Sequence, residues 1–160
     1  SDAHQYLLDK GYDVSYSEIT GWWKDTGKPS DLLEANRLVL DNIKSDSKGL
    51  VDENSTVSGR VQIGANSRVI NSNIRGPAII GDNTTIEESY VGPYSAIGKG
   101  CTISGSEVEY SIIMDGCQIN QVKRRIESSL LGNDVEILRS KTRPATHKFM
   151  LGDQSRIEIE

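Results

Sequence analysis

Few side chains of this 160-residue sequence have both the type and the setting that chemistry requires. Its two histidines, His4 and His147, could each act as a general base, although an exposed or packed histidine is the commoner case. The basic run Lys123-Arg124-Arg125 could bind an anionic effector, but a solvated bulge is the more usual role of such a cluster. No Gly-x-Gly-x-x-Gly or Walker-type phosphate-binding motif occurs in the sequence.

The segment 21–29, GWWKDTGKP, is the other place where a reactive group stands in a defined setting. Glycines bracket this segment, which is typical of a loop. Its carboxylate, Asp25, comes directly before Thr26 and Gly27, and on local chemistry alone it favours a turn. Pro29 is tolerated in the first turn of a helix, so the loop is expected to lead into one.

The overall composition excludes several classes of function. A net charge of -5 and a pI of about 5.1 argue against nucleic acid as a main partner, since such a partner favours a basic face. No run approaches the roughly 18–20 apolar residues of a membrane span, and no signal peptide is visible. We therefore expect a cytoplasmic protein, with Cys101 and Cys117 reduced rather than paired.

The first 48 residues are expected to form a small α/β unit, a first domain over 1–48. A helix is predicted over 2–10, with Asp2 as its N-cap and Gly11 as its stop. The segment 12–19 alternates loosely and is rich in Tyr and Val, which predicts a strand.

A second helix is predicted over 30–43 because aliphatic residues recur there at helical spacing. The main stripe comprises Leu32, Ala35, Val39 and Ile43, with Leu33 and Leu40 beside it. The polar segment 45–49 is expected to be a linker, so the second domain is placed at 49–160.

That second domain follows a repeat of 17 residues, which begins near Val51 or Val57. Three inward columns have this period: Ile63, Ile80, Ile97, Met114 and Leu131; Val57, Ile74, Val91 and Val108; Val69, Ile86, Ile103 and Ile137. Three inward columns per period describe a coil with three short sides, stacked turn on turn. The predicted fold is therefore mainly β, a parallel β-solenoid with a narrow aliphatic core.

The columns lapse once, where the 17-residue count would place Asn120 and Arg125 inward. Ile119 and Ile126 lie one residue away on either side, so a local register change with a bulge is expected between them. A last unit over 151–157, LGDQSRI, repeats the aliphatic, Gly and small-residue pattern and is expected to cap the solenoid. The count predicts about five to six coils.

The six-residue pattern along each side resembles the hexapeptide repeat of left-handed β-helix proteins. That resemblance alone implies the left-handed sense, because parallel crossovers are otherwise right-handed in about 98% of cases. Similar β-helices usually assemble as trimers, and Tyr90, Tyr94, Tyr110 and Ile112 could line such a contact.

The segment 21–41, GWWKDTGKPSDLLEANRLVLD, resembles the end of the catalytic domain of glucose-1-phosphate thymidylyltransferases. In that family a sugar 1-phosphate attacks the α-phosphate of dTTP and pyrophosphate leaves, with Mg²⁺ neutralising charge. The resemblance implies that Asp25 helps to hold the metal and that Trp23 lies near the sugar. The Gly-rich nucleotide-binding loop and the second metal-binding aspartate of the family are not in this sequence. We therefore expect a C-terminal fragment that neither transfers nucleotides nor binds Mg²⁺ usefully by itself.

Two other functions remain open. β-Helix acyltransferases, which resemble one another in using a histidine base at a subunit interface, would use acetyl-coenzyme A on an amino-sugar phosphate. His147 is the only histidine near the solenoid, in an irregular stretch. A purely structural module that assembles the parent enzyme is the other alternative.

Overall fold

The computed structural model describes residues 2–18, 20, 27–141, 143, 146–153 and 155–159. Within them lie two helices and a parallel β-solenoid of about five turns, consistent with the left-handed β-helix expected from the hexapeptide pattern. In this part of the chain neither helix is long and apolar enough to cross a membrane.

The two helices lie where the sequence predicts them, and the expected strand between them does not form. Helix α1 spans Asp2–Asp9 and is followed by Gly11 with φ +76°, a left-handed angle that glycine adopts readily. Residues 12–18 contain no strand, so that prediction is wrong there. Alternating Tyr and Val favour a strand only when a neighbour pairs with it, and here Tyr12 and Tyr16 are exposed.

Helix α2 spans Pro29–Leu40, with Pro29 in its first turn, and ends three residues earlier than predicted. Its buried residues are Leu33 and Leu40, whereas Leu32 and Val39 of the predicted stripe are exposed. The helix therefore turns a different face to the rest of the protein than the sequence pattern indicates.

Seventeen short strands make up the three walls of the solenoid. They are β1 Asp46–Ser47, β2 Leu50–Val51, β3 Thr56–Ser58, β4 Val61–Ile63, β5 Arg68–Ile70, β6 Asn73–Arg75, β7 Ala78–Ile80, β8 Thr85–Glu87, β9 Tyr90–Val91, β10 Ser95–Ile97, β11 Thr102–Ser104, β12 Glu107–Glu109, β13 Ile112–Ile113, β14 Gln118–Asn120, β15 Ile126–Glu127, β16 Leu130–Leu131 and β17 Glu136–Leu138. Every third strand joins the same wall, which gives parallel sheets ordered β1-β4-β7-β10-β13-β16, β17-β14-β11-β8-β5-β2 and β15-β12-β9-β6-β3.

The walls begin earlier than expected, inside the segment predicted to be a linker. Strand β1 pairs with β4, with Ser47 beside Ile63, and the amide of Lys48 donates to the carbonyl of Ile63 at 2.8 Å. The linker prediction for 45–49 is therefore wrong, because the backbone there is part of the first ladder. Polar side chains are compatible with this first coil because they face solvent.

The inward columns are confirmed at most positions and corrected at one. Ile97 pairs with Ile113, not with Met114, and Ile113 is buried while Met114 is 43% exposed. The reason is that the corner before β13 is one residue shorter than in earlier coils. The expected register change further along is confirmed, since Ile119 pairs with Ile103 and Ile126 with Val108.

A row of small side chains fills one corner of the core, where Cys101 takes the place that Ser67 and Thr84 have in the two preceding coils. The amide of Thr84 donates to Ser67 Oγ at 3.0 Å, and the amide of Cys101 donates to Thr84 Oγ1 at 3.1 Å. Cys117 continues the row, and both cysteines are buried and free, without a disulfide. Burial raises the pKa of both thiols, which makes them poor nucleophiles.

The closing coil predicted over 151–157 is not formed by the residues described there. Strand β17 is the last paired strand among the described residues, and Leu151 and Ile157 are 58% and 45% exposed. A short strand is stable only as part of a ladder, and these side chains do not pack on the last wall.

Candidate functional site

Trp23, which the resemblance places near the sugar, and Asp25, which it assigns to the metal, lie outside the described residues. His4 lies exposed on α1, and His147 is exposed with its ring stacked on Phe149 at a centroid distance of 5.9 Å. Neither histidine lines either of the two surface depressions described below. The structure therefore supports neither as a general base.

Metal-binding side chains do not cluster among the described residues. In these parts of the chain, no three His, Cys, Asp or Glu residues come together in a way that could hold a metal ion. The described residues alone thus do not fit a Mg²⁺ site, and the metal-binding prediction for Asp25 stays a prediction.

Arg125, in the basic run, is held by carboxylates instead of being presented to a ligand. Its guanidinium lies 2.9 Å from Glu107 Oε2 and 3.0 Å from Glu109 Oε2. It also lies over the ring of Tyr90, with Cζ 4.9 Å from the centroid. These contacts raise the pKa of Arg125, the hydrogen bond to Glu107 most of all, and they tie the bulge to the wall.

Two of the depressions on the solenoid surface could admit a ligand. The larger is an open polar trough of about 700 Å³ along one corner. Its lining includes Asn71, Asn73, Glu88, Tyr90, Glu107 and Lys123. The smaller, about 420 Å³, lies at the start of the solenoid beside Val51, Val57 and Ile63. The trough combines both signs of charge with amides, so it does not favour one class of ligand.

The most specific arrangement joins α2 to the solenoid. The Tyr94 hydroxyl lies 3.1 Å from Asp41 Oδ1, just after the helix, and the Tyr110 hydroxyl lies 3.4 Å from Glu34 Oε2 on it. Asn36 Nδ2 donates to the backbone carbonyl of Tyr94 at 3.0 Å. Beside these polar contacts Leu40 is fully buried, so the helix is held by both apolar packing and hydrogen bonds.

Charges on α2 reinforce this contact. Arg37 bridges Glu34 and Asp41 at 2.8 and 3.3 Å, which keeps both carboxylates directed at the solenoid. Its pKa is raised, mainly by the hydrogen bond to Glu34. The pKa of Tyr110 is also raised, first by burial and then by the negative charge of Glu34, so its hydroxyl keeps its proton to higher pH than an exposed tyrosine does.

From the sequence, Tyr94 and Tyr110 are expected on the surface, where they could line a contact between copies of the chain. The structure instead engages Tyr94 and Tyr110 with α2, and their rings meet edge to face at 6.2 Å. One signal was available in the sequence, since both tyrosines occupy solenoid corners, where Asn and Gly recur elsewhere. Which partner the corner tyrosines meet could not be deduced from the repeat.

Comparison with known proteins agrees with the architecture. The family described as "GlmU-like, C-terminal hexapeptide" matches residues 88–143. The chain is 47% identical over 99% of its length to a protein named glucose-1-phosphate thymidylyltransferase from Streptomyces antibioticus, and 44% identical over 99% to one of the same name from Streptomyces griseus. It is 38% identical over 99% to the low-salt glycan biosynthesis nucleotidyltransferase Agl11 of Haloferax volcanii.

These matches concern one part of each relative. The chain covers 44% of each Streptomyces protein and 45% of the Haloferax protein. It thus spans less than half the length of the curated relatives it matches, and the matched part is their C-terminal part.

Proposed function

We propose that this chain acts as the C-terminal part of a glucose-1-phosphate thymidylyltransferase, which joins glucose 1-phosphate and dTTP into dTDP-glucose and releases pyrophosphate. Supporting this is the 47% identity to a protein of that name, which extends over 99% of the chain and so includes both helices and the solenoid. A shared hexapeptide repeat alone would produce sequence identity only within the solenoid, whereas this match also includes both helices.

The contact between α2 and the solenoid supports a role for this chain within the enzyme. α2 is the element that connects the N-terminal residues to the solenoid, and it is fixed there by Leu40, Asp41 and Glu34. We propose that the solenoid is a rigid support on which the nucleotide-binding part of the enzyme is carried. A solenoid suits this role because each coil packs only on its neighbours and resists bending through its continuous ladders.

Substrate and metal contacts are proposed for Trp23 and Asp25, which precede α2 in the sequence. Asp25 would supply a hard carboxylate oxygen to Mg²⁺, and Trp23 would lie against the sugar. When bound, the metal would neutralise charge on the transferred phosphoryl group. The work of the chain's own residues there is to position the sugar phosphate. A cytoplasmic location accords with the nucleotide substrates proposed.

Assembly is the second proposed role of the solenoid, with a homotrimer as the expected state. Light scattering on the purified chain tests it, with an expected mass three times that of the 17.6 kDa chain. A monomer at micromolar concentration would exclude this role.

The geometry does not favour the acyltransferase alternative, because neither described histidine occupies a cleft. Calorimetry with acetyl-coenzyme A tests this alternative, and saturable binding would support it again.

The proposed activity is tested by a chimaera and by the chain alone. In the chimaera this chain replaces the matching 44% of the Streptomyces antibioticus relative. We expect the chimaera to form dTDP-glucose from glucose 1-phosphate, dTTP and Mg²⁺, while the chain alone gives only background. Turnover by the chain alone would contradict its role as a supporting part.

A further inference from the structure

Two large aromatic residues occupy backbone positions that do not favour them. Tyr94 has φ +60° and Tyr110 has φ +45°, both in the left-handed region. For a residue with a bulky side chain, this region costs conformational free energy, because Cβ approaches the backbone carbonyl. Other left-handed corners of the solenoid hold residues that tolerate these angles, such as Gly59 and Asn66, or polar residues such as Glu88. Among the described residues, Tyr94 and Tyr110 are the only aromatic ones with a left-handed angle.

Both strained tyrosines contact the segment that contains α2. Each hydroxyl reaches a carboxylate of the helix segment, 3.1 Å to Asp41 and 3.4 Å to Glu34. The two rings pack on each other at 6.2 Å, which fixes the direction of both hydroxyls. The solenoid's own inward columns and ladders do not use these side chains, so their contacts serve the helix.

We infer that Tyr94 and Tyr110 form a clamp that fixes α2 in a single orientation on the solenoid. The strain at these two corners then results from placing rigid aromatic donors on neighbouring coils. Gly or Asn would adopt the same backbone angles more easily, but neither carries a ring and a hydroxyl that reach α2. Arg37 completes the clamp from the helix side by holding Glu34 and Asp41 in place. This inference goes beyond the proposed function and does not depend on it, since it concerns the orientation of a helix rather than catalysis.

The clamp predicts opposite effects on the helix and on the solenoid. In the double variant Tyr94→Gly with Tyr110→Gly, the left-handed angles become easy to adopt while the contacts with α2 disappear. Hydrogen exchange of the α2 amides between Leu33 and Leu40 is expected to become at least about tenfold faster. The thermal midpoint of the solenoid is expected to stay the same or rise, because strain is relieved there.

Milder variants separate the hydroxyls from the rings. Tyr94→Phe with Tyr110→Phe keeps the rings and the strain but removes both hydrogen bonds, so α2 exchange is expected to accelerate less than in the glycine variant. The matched control is Tyr90→Phe, which loses a hydroxyl bonded to Glu109 at 3.3 Å, away from α2. It is expected to leave α2 exchange unchanged.

Two results would overturn the clamp. One is α2 exchange in the double glycine variant equal to that of the parent chain. The other is a double glycine variant in which the solenoid itself melts earlier, since the tyrosines would then be packing residues of the solenoid. All these measurements use the 160-residue chain without an activity assay, so their outcome is independent of whether the chimaera turns over.

Discussion

The hydroxyl of Tyr110 lies 3.4 Å from a carboxylate oxygen of Glu34, 76 positions earlier in the chain, and so links the fourth coil of the solenoid wall to α2. Together with the hydrogen bond from Tyr94 to Asp41, this contact joins the helix to the solenoid through directed hydrogen bonds. Such bonds fix an orientation, which apolar packing alone fixes less well.

This contact should weaken in alkali. The pKa of Tyr110 is raised above 10.0 in the folded protein, first by burial and then by Glu34. The folded protein therefore keeps a proton that the unfolded chain loses, so this contribution to stability is complete below about pH 10 and declines as the pH rises through the folded pKa.

Urea unfolding at about pH 9 and about pH 11 measures the effect. The parent chain should lose more stability over this interval than Tyr110→Phe, which has no group to ionise there. Tyr90 also has a raised pKa, caused by burial and by Glu109, so Tyr90→Phe should reduce the alkaline loss by a separate amount. Equal losses in the parent chain and in Tyr110→Phe would contradict the effect.

The corrected register is tested by two neighbouring substitutions. Ile113 is 1% exposed and stacks on Ile97, whereas Met114 is 43% exposed. Ile113→Ala should therefore cost about 2–5 kcal/mol of unfolding free energy through a core cavity. Met114→Ala should change it by no more than about 0.5 kcal/mol. Chemical denaturation compares them, and a larger cost at Met114 would restore the uninterrupted 17-residue count.

A buried hydroxyl offers a stabilising substitution. Ser95 Oγ is buried without a hydrogen-bond partner among the described residues, and its neighbour in the previous coil is Ala78. Because an unsatisfied buried hydroxyl costs roughly 1–3 kcal/mol, Ser95→Ala should be neutral or stabilising.

Ser72→Ala is the matched control, since Ser72 Oγ both donates to the carbonyl of Ile70 and accepts from the amide of Ser89. Its removal should destabilise the protein by about 1–2 kcal/mol. A Ser95→Ala variant that is destabilised as much as Ser72→Ala would mean that the Ser95 hydroxyl has a partner.

The bulge after β14 should depend on Arg125. Arg125→Gln removes the contacts with Glu107 and Glu109 and the stacking on Tyr90. Hydrogen exchange over 120–126 should accelerate while the global midpoint changes little, because these charges are partly exposed. Lys123→Gln, which removes a neighbouring charge, is the control. If both variants behave alike, the guanidinium does not hold the bulge.

The sequence was sufficient for the walls of the solenoid because stacking requires an inward aliphatic at nearly the same place in every coil. It was ambiguous at Ile113, since Ile112, Ile113 and Met114 are all apolar and a one-residue change at a corner decides which points inward. The strand expected within 12–19 failed over the described residues 12–18 because propensity does not supply a pairing neighbour.

The contact of α2 with the solenoid was not predictable from the repeat. Its bonds join residues 53 to 76 positions apart, and they come from corner side chains that have no place in the inward columns. The apolar stripe also indicated the other face of α2, because Leu32 and Val39 follow helical spacing as well as Leu33 and Leu40 do. Only the three-dimensional arrangement decides between the two faces.

The proposed activity is tested most directly by dTDP-glucose formation in the chimaera that carries this chain in place of the matching 44% of the Streptomyces antibioticus relative. We expect a folded oligomer whose kcat/KM lies within about tenfold of the value for that relative. A folded chimaera of the correct oligomeric state with no turnover above background would contradict the assignment of this chain to a glucose-1-phosphate thymidylyltransferase.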